Sequence, residues 1–351
     1  ETQCKFIVSG FMSLKAMSAK HCRPFDMGRN GLNLGEAAAT VILGNSRKAD
    51  DEWQICRGAV CNDAYHISAP SKTAEGAYKA LLSAVGCVPA DELAFICAHG
   101  TATLFNDQME SVAIQRAGLG SVPVNALKGI FGHTMGACGV LETCLSLAAA
   151  NEGIVLPTNG FCELGVTGKI NIARKWQRTD KKSFIKMLSG FGGCNAALLV
   201  SKDIEFNGCT KHSCNYFASH NVKITPTAVS VDGCDIDVPA EGKALLTALY
   251  KEQIDGYAKF YKMDILSRLG FVATELLLQA EGQERFAERD DRAVVFVGRS
   301  GSVCADIKYL DTIANADDFY PSPERFVYTL PNIVTGEVAI RNKYHGETAF
   351  Y

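Results

Sequence analysis

From residue 5 to about residue 202 short apolar runs alternate with stretches of helical period. That alternation restricts the chain to layered α/β architecture, because each element must bury one face against the next. Strands are expected at 5–9, 37–43, 54–61, 93–98, 184–188 and 196–201, and helices at 73–85, 107–117 and 135–151. Asn106 and Asp107 are placed to cap the second helix, whose acidic first turn suits its dipole. Periodicity fails in the polar stretch Asn207-Gly208-Cys209-Thr210-Lys211-His212-Ser213, so a linker is expected over 203–220, dividing units at 1–202 and 221–351. The second unit predicts a strand at 222–231, two helices in 241–279 broken near Lys262-Met263-Asp264, a buried strand at 293–298 and a helix from Leu330-Pro331-Asn332 to about 340.

With 351 residues, 47% of them hydrophobic, the chain can bury a sizeable core. A net charge of -3 with interspersed signs offers no basic face for nucleic acid and no polybasic segment for anionic lipid. Small-molecule or protein-borne substrates are expected instead. The fourteen cysteines are scattered singly through apolar segments without a Cys-x-x-Cys pair. This pattern predicts reduced, mostly buried thiols in a cytoplasmic protein, with no metal site. Neither a signal-peptide pattern nor an apolar run of about 18 residues is present.

Two histidines stand in glycine-rich turns after apolar runs, His99 in Ala98-His99-Gly100-Thr101-Ala102-Thr103 and His133 in Gly132-His133-Thr134-Met135-Gly136-Ala137. Neutral imidazoles on rigid turns suit hydrogen-bond donation to a thioester oxygen, where one donor is worth on the order of 10²–10³ in rate. Lys128 follows a strand-like segment, and Glu110, on the helix after His99, is its expected counter-ion if both point inward. Gly190-Phe191-Gly192-Gly193 predicts a turn between two strands whose aromatic side chain covers a pocket. Cys194 precedes a strand, and a nucleophilic cysteine is favoured at a strand-to-helix elbow. Cys138 reads as packing inside a helix, and His66 as a satisfied loop histidine.

Together these residues resemble a β-ketoacyl synthase of the thiolase-like superfamily. The resemblance rests on Cys22-Arg23-Pro24-Phe25-Asp26, Arg29-Asn30-Gly31, Gly35-Glu36-Ala37-Ala38, Asp63-Ala64-Tyr65-His66, the two histidine turns, Asn106-Asp107 with Glu110, Lys128 and Gly190-Phe191-Gly192-Gly193, in order. It covers residues 1–202, as the C-terminal part of such a domain. It implies a thiolase-like layered αβαβα fold, present as partial halves, and decarboxylative condensation of malonyl and acyl thioesters borne on acyl carrier protein. Phosphopantetheine would come with that carrier, so no cofactor of the chain's own is implied.

The resemblance further assigns His99 and His133 to polarising the malonyl thioester, and Lys128 with Glu110 to a supporting ion pair. Thr101 and Thr103 would bind the pantetheine arm, Phe191 would gate the acyl pocket, and Gly192 would border substrate. Ala102 and Ala37 stand where glycines are common in the family, and Ser189 where a phenylalanine is usual. The nucleophilic cysteine would lie upstream of Glu1, so these residues alone are expected to be unable to transfer an acyl group.

Val294-Val295-Phe296-Val297-Gly298, Phe326-Val327-Tyr328-Thr329-Leu330-Pro331-Asn332 and Gly336-Glu337-Val338-Ala339-Ile340-Arg341 are similar, more weakly, to the N-terminal half of a second synthase, stopping before its nucleophile elbow. A homodimer or a ketosynthase-like heterodimer is implied. The alternative is a non-catalytic chain-length factor or scaffolding partner of an active synthase. A thiolase is disfavoured, since thiolases use a second cysteine in place of one histidine.

Overall fold

The computed structural model describes residues 1–44, 52–204, 217–315 and 317–351. The chain opens with helix α1 (Lys5–Ser13), where a strand was expected over 5–9. Its apolar residues fall on one helical face, and Gly10 lies so close to the Phe326 ring that a Cβ there would sit 2.2 Å from it. Residues 37–43 form no strand either, and Ile42 is 94% exposed. Among the described residues no strand pairs with them.

Strand β1 (Gln54–Asn62), helix α2 (Glu75–Val85), strand β2 (Phe95–Cys97), helix α3 (Leu104–Arg116) and strand β3 (Pro123–Asn125) follow. Next come the short helix α4 (Lys128–Phe131), helix α5 (Cys138–Asn151), and strands β4 (Ile154–Val155), β5 (Asn171–Ile172), β6 (Gln177–Arg178), β7 (Ser183–Gly190) and β8 (Cys194–Ser201). Six of the strands make one mixed sheet in the order β1-β8-β7-β2-β3-β5. Helix α2 buries Ala77, Ala80, Leu81 and Ala84, a spacing that lays one face on this sheet.

Strands β7, β2, β3 and β5 are mutually parallel, whereas β8 and β1 run antiparallel to their neighbours. The parallel set brings the carboxyl ends of β2, β3 and β7 to one edge of the sheet. Loops that leave such an edge are where α/β proteins bind ligands. His99, Lys128 and Phe191 all follow those ends.

The polar stretch 207–213 falls outside the described residues. Beyond it, the single strand expected over 222–231 is instead two strands, β9 (Val222–Ile224) and β10 (Val229–Val231), of an antiparallel meander whose third is β11 (Cys234–Ile236). Pro226 sits in the turn that divides them, closed by the Thr225 N–H donating to the Ala228 carbonyl at 2.8 Å. Helix α6 (Gly242–Leu249) and helix α7 (Ile265–Glu281) flank the break near 262–264, where Asp264 caps α7 by accepting from the N–H groups of Leu266 and Ser267. Strand β12 (Val294–Phe296), helices α8 (Val303–Asp311), α9 (Pro323–Val327) and α10 (Ile333–Asn342), and strand β13 (Thr348–Phe350) complete the chain, with β12 and β13 paired in parallel.

Phe11 of α1 packs edge-on against Phe326 of α9, in a cluster that includes Tyr309. Asn62 at the end of β1 donates to Thr348 Oγ1 at 3.1 Å, and His345 Nδ1 donates to the Asn62 carbonyl at 2.9 Å. No described helix is long and apolar enough to cross a membrane. Among the described cysteines burial is narrower than expected: Cys22, Cys56, Cys97 and Cys138 are buried, but Cys4, Cys87, Cys162, Cys234 and Cys304 are exposed.

Candidate active site

The turn after β2 carries His99, and Gly100 makes that turn possible. Its φ is +43°, and a Cβ there would meet the Ala126 Cβ at 2.3 Å. Glu110 of α3 accepts from the His99 and Gly100 N–H groups at 2.6 and 2.7 Å, and from the Asn106 amide at 2.8 Å. Asp107, which was expected to cap α3, lies inside it and accepts from the N–H groups of Phe25, Thr101 and Ala102. Helix α3 starts three residues earlier than expected, at Leu104, so Asp107 faces the preceding loop. Burial lifts the Asp107 carboxyl to about 7 against those N–H bonds, and it raises Glu110 as well.

Lys128 is fully buried, but Glu110 is not its partner. Its Nζ pairs with Glu142 Oε1 of α5 at 2.7 Å and donates to the His99 carbonyl at 2.5 Å. Glu110 is already engaged by three N–H donors, while Glu142 has a free oxygen facing each of two lysines. The second is Lys186 of β7, 2.6 Å from Glu142 Oε2 and bonded to the carbonyls of Cys97 and Ala98 just before His99. These contacts hold the Glu142 carboxyl below its ordinary range despite burial, and Glu142 helps to raise Lys186. Sequence reasoning missed both Glu142 and Lys186. Each is a lone charge in an otherwise apolar element, which was the available signal.

His133 packs edge-on against His99, with ring centroids 5.0 Å apart. Its backbone forms an isolated bridge with Leu34, the His133 N–H donating to the Asn33 carbonyl at 2.7 Å. The Met135 N–H donates to His133 Nδ1 at 3.1 Å, and Lys128 Nζ stands 3.2 Å from His99 Nδ1. An ammonium and an amide can only donate, so each Nδ1 is an acceptor and each ring carries its proton on Nε2. Burial, and after it Lys128, pushes both histidines well below the usual imidazole range. Both rings are therefore neutral donors, and both line a cavity of about 860 Å³.

Thr101 and Thr103 also line the cavity, their hydroxyls 2.9 Å apart. Phe191 borders it as well, stacked on Phe11 and held through its carbonyl by Asn332 Nδ2 at 2.9 Å. Gly192, expected to border substrate, does not reach the cavity. Its N–H is spent on the Ile67 carbonyl at 2.7 Å, and its Cα side faces Asn332. His66 is a satisfied loop histidine, its Nδ1 accepting from the N–H groups of Ser68 and Ala69. Cys138 packs, buried, inside a helical stretch in which a 3₁₀ turn at Met135–Ala137 runs straight into α5. It is the first residue of α5, and its Sγ lies within 4.8 Å of a ring nitrogen of His99 and of His133.

Comparisons with known proteins agree with this arrangement. Residues 54–161 match the family model for the "Beta-ketoacyl synthase, C-terminal domain". The chain is 32% identical over 219 residues to 3-oxoacyl-[acyl-carrier-protein] synthase 2 of Rhizobium meliloti, across 57% of this chain and 51% of that protein. A β-ketoacyl synthase from Burkholderia phymatum superposes with a TM-score of 0.50 at 26% identity, covering 57% of this chain and 52% of that one. A ketosynthase–chain length factor protein, PfaC, shares the fold over 98% of this chain and 45% of its own, with a TM-score of 0.65 at 13% identity. The chain spans about half the length of the curated relatives it matches.

Proposed function

We propose that this chain, whose residues 54–161 belong to the β-ketoacyl synthases, carries the malonyl-activating half of a decarboxylative condensation site. The observation that carries the reading is the shared protonation of His99 and His133. Each has Nδ1 occupied by a donor, so each presents Nε2–H to the cavity. In the proposed reaction the bond from the malonyl α-carbon to its carboxylate breaks and carbon dioxide leaves. The electron pair moves onto the thioester oxygen, where the two Nε2–H groups hold the enolate. The carbanion then attacks the carbonyl of an acyl thioester, and the acyl-bearing thiol departs with a proton.

Neutral donors suit this step, because they take on developing negative charge without having to give up a proton at neutral pH. Lys128 and Lys186, both paired with Glu142, keep the His99 turn in place through its carbonyls, and burial together with the two lysines holds its ring neutral. Thr101 and Thr103 are assigned to a pantetheine arm entering the cavity, and Phe191 to the acyl pocket wall. The substrates are malonyl and acyl thioesters on an acyl carrier protein, in fatty-acid or polyketide synthesis. The reading further assigns the chain to the cytoplasm, to a homodimer or ketosynthase-like heterodimer, and to units at 1–202 and 221–351, with no cofactor of its own.

Replacing His133 with Ala in the full-length protein should lower carbon dioxide release from malonyl-acyl carrier protein by on the order of 10²–10³. Unchanged release would favour the second reading, a chain-length-factor or scaffolding role. That role draws on the fold shared with PfaC across nearly the whole chain.

A further inference from the structure

The turn that carries Phe191 has little of its own to fix it. Gly190, Gly192 and Gly193 surround the aromatic residue, and the last two hold φ values of +84° and +74°, so bonds from outside the turn must set their conformation. Most of those bonds come from the first unit. The Gly192 N–H donates to the Ile67 carbonyl at 2.7 Å, Asn62 Nδ2 to the Gly192 carbonyl at 2.8 Å, and the Asp63 N–H to the Gly193 carbonyl at 2.8 Å. The Phe191 carbonyl is different. Its donor is Asn332 Nδ2 of the second unit at 2.9 Å, and no other described donor bonds to it.

Asn332 is itself firmly placed. It immediately precedes α10, and its carbonyl accepts from Thr335 Oγ1 at 2.7 Å and from the Thr335 N–H at 3.1 Å. Just upstream, Tyr328 donates its hydroxyl to Glu337 Oε1 at 2.8 Å, while Tyr257 donates to Glu337 Oε2 at 2.6 Å. A fully buried carboxylate thus pins the segment leading into α10. The Phe191 ring is placed from the same side, stacked on Phe11, which packs in turn on Phe326 of α9.

We infer that Asn332 is a positioning residue for the candidate site: it fixes the Phe191 ring at the cavity wall, so that affinity for an acyl thioester depends on a side chain of the second unit. The choice of an acyl ligand rests on the condensation reading, whereas the hold on Phe191 rests on the geometry alone. Asn332 also lines the cavity. A double-mutant cycle therefore has to separate a hold on Phe191 from a direct contact with ligand.

The test uses the 351-residue chain, with dodecanoyl-coenzyme A as the probe and calorimetry to read its Kd. Asn332→Ala should weaken binding about threefold to tenfold, the scale of one lost hydrogen bond. Asn332→Asp keeps the size but cannot donate, and it should weaken binding by at least as much. In a Phe191→Ala background the loss of Asn332 should change Kd less than twofold, because no ring is left to misplace. Deuterium exchange, which needs no ligand, should quicken at least threefold in the peptide spanning Gly190–Gly193 of Asn332→Ala and stay at the parent rate in β2. Parent-like binding by Asn332→Asp, additive effects in the cycle, unchanged exchange at 190–193, or exchange that rises throughout the chain would overturn the inference. A parent chain that does not bind the probe rejects the condensation reading, and deuterium exchange then decides the hold on Phe191 by itself.

Discussion

Ala102 holds a φ of +60°, a left-handed conformation that costs a residue with a Cβ roughly 1–2 kcal/mol. It stands in the His99 turn at a position where the family resemblance pointed to glycine, and the backbone supplies the reason. Ala102→Gly should relieve that strain at the expense of a more flexible unfolded chain, for a net gain of roughly 0.5–1 kcal/mol. Urea denaturation would show a higher midpoint, and an unchanged or lower one would contradict the strain argument. The histidines beside it make acid a destabilising agent. Burial first, then Lys128, depresses both imidazoles, so the unfolded chain takes up protons near pH 6.5 where the folded chain does not. Their contribution is therefore complete above about pH 6.5 and is lost as the pH falls toward the folded values, by up to ~1.4 kcal/mol per pH unit per histidine. Asp107 and Glu110, both raised, oppose this slope, so the informative quantity is a difference. The double variant His99→Gln/His133→Gln should lose less stability than the parent between about pH 7 and 5. Parallel curves would mean that the histidines titrate normally.

Helix α5 and strand β7 meet through one carboxylate between two buried ammonium groups, Glu142 with Lys128 at 2.7 Å and Lys186 at 2.6 Å. Such a site tolerates loss of its shared partner poorly, because two desolvated cations are left behind. Glu142→Gln should cost roughly 3–5 kcal/mol, seen as a fall in thermal midpoint. A cost below about 1 kcal/mol would place the lysines in contact with water. This contact also marks where sequence reading stops at the level of elements. The turns of His99 and His133 were legible because glycines and an apolar run define them locally, as were β1, β2, β7, β8 and α2. The choice between Glu110 and Glu142 was not, since it depends on which acid is already engaged by backbone N–H groups. Helix α1 was misread for a similar reason. Its five residues Lys5-Phe6-Ile7-Val8-Ser9 favour a strand by propensity, and only docking against Phe326 and Tyr309 makes them helical.

Across the whole molecule, residues from both ends of the chain line one cavity, where Phe11 packs on Phe326 and the Phe191 carbonyl accepts from Asn332. No local sequence pattern marks this arrangement, because it depends on contacts between residues separated by more than a hundred positions. One of its close points is backbone against backbone. Gly336 of α10 lies over the Gly192 turn, where an added Cβ would come within 2.7 Å of the Gly192 oxygen and 2.9 Å of its Cα. Two main chains cannot yield as a flexible side chain would, so Gly336→Ala must push α10 away from the turn that carries Phe191. A destabilisation of about 1–3 kcal/mol is expected. Gly190, in the same turn, has nothing within 4 Å of an added Cβ and an ordinary φ. Gly190→Ala should therefore stay within about 0.5 kcal/mol of the parent. If the two variants lose equal stability in urea, the cost lies in the turn itself, and the close approach of α10 contributes nothing to holding it.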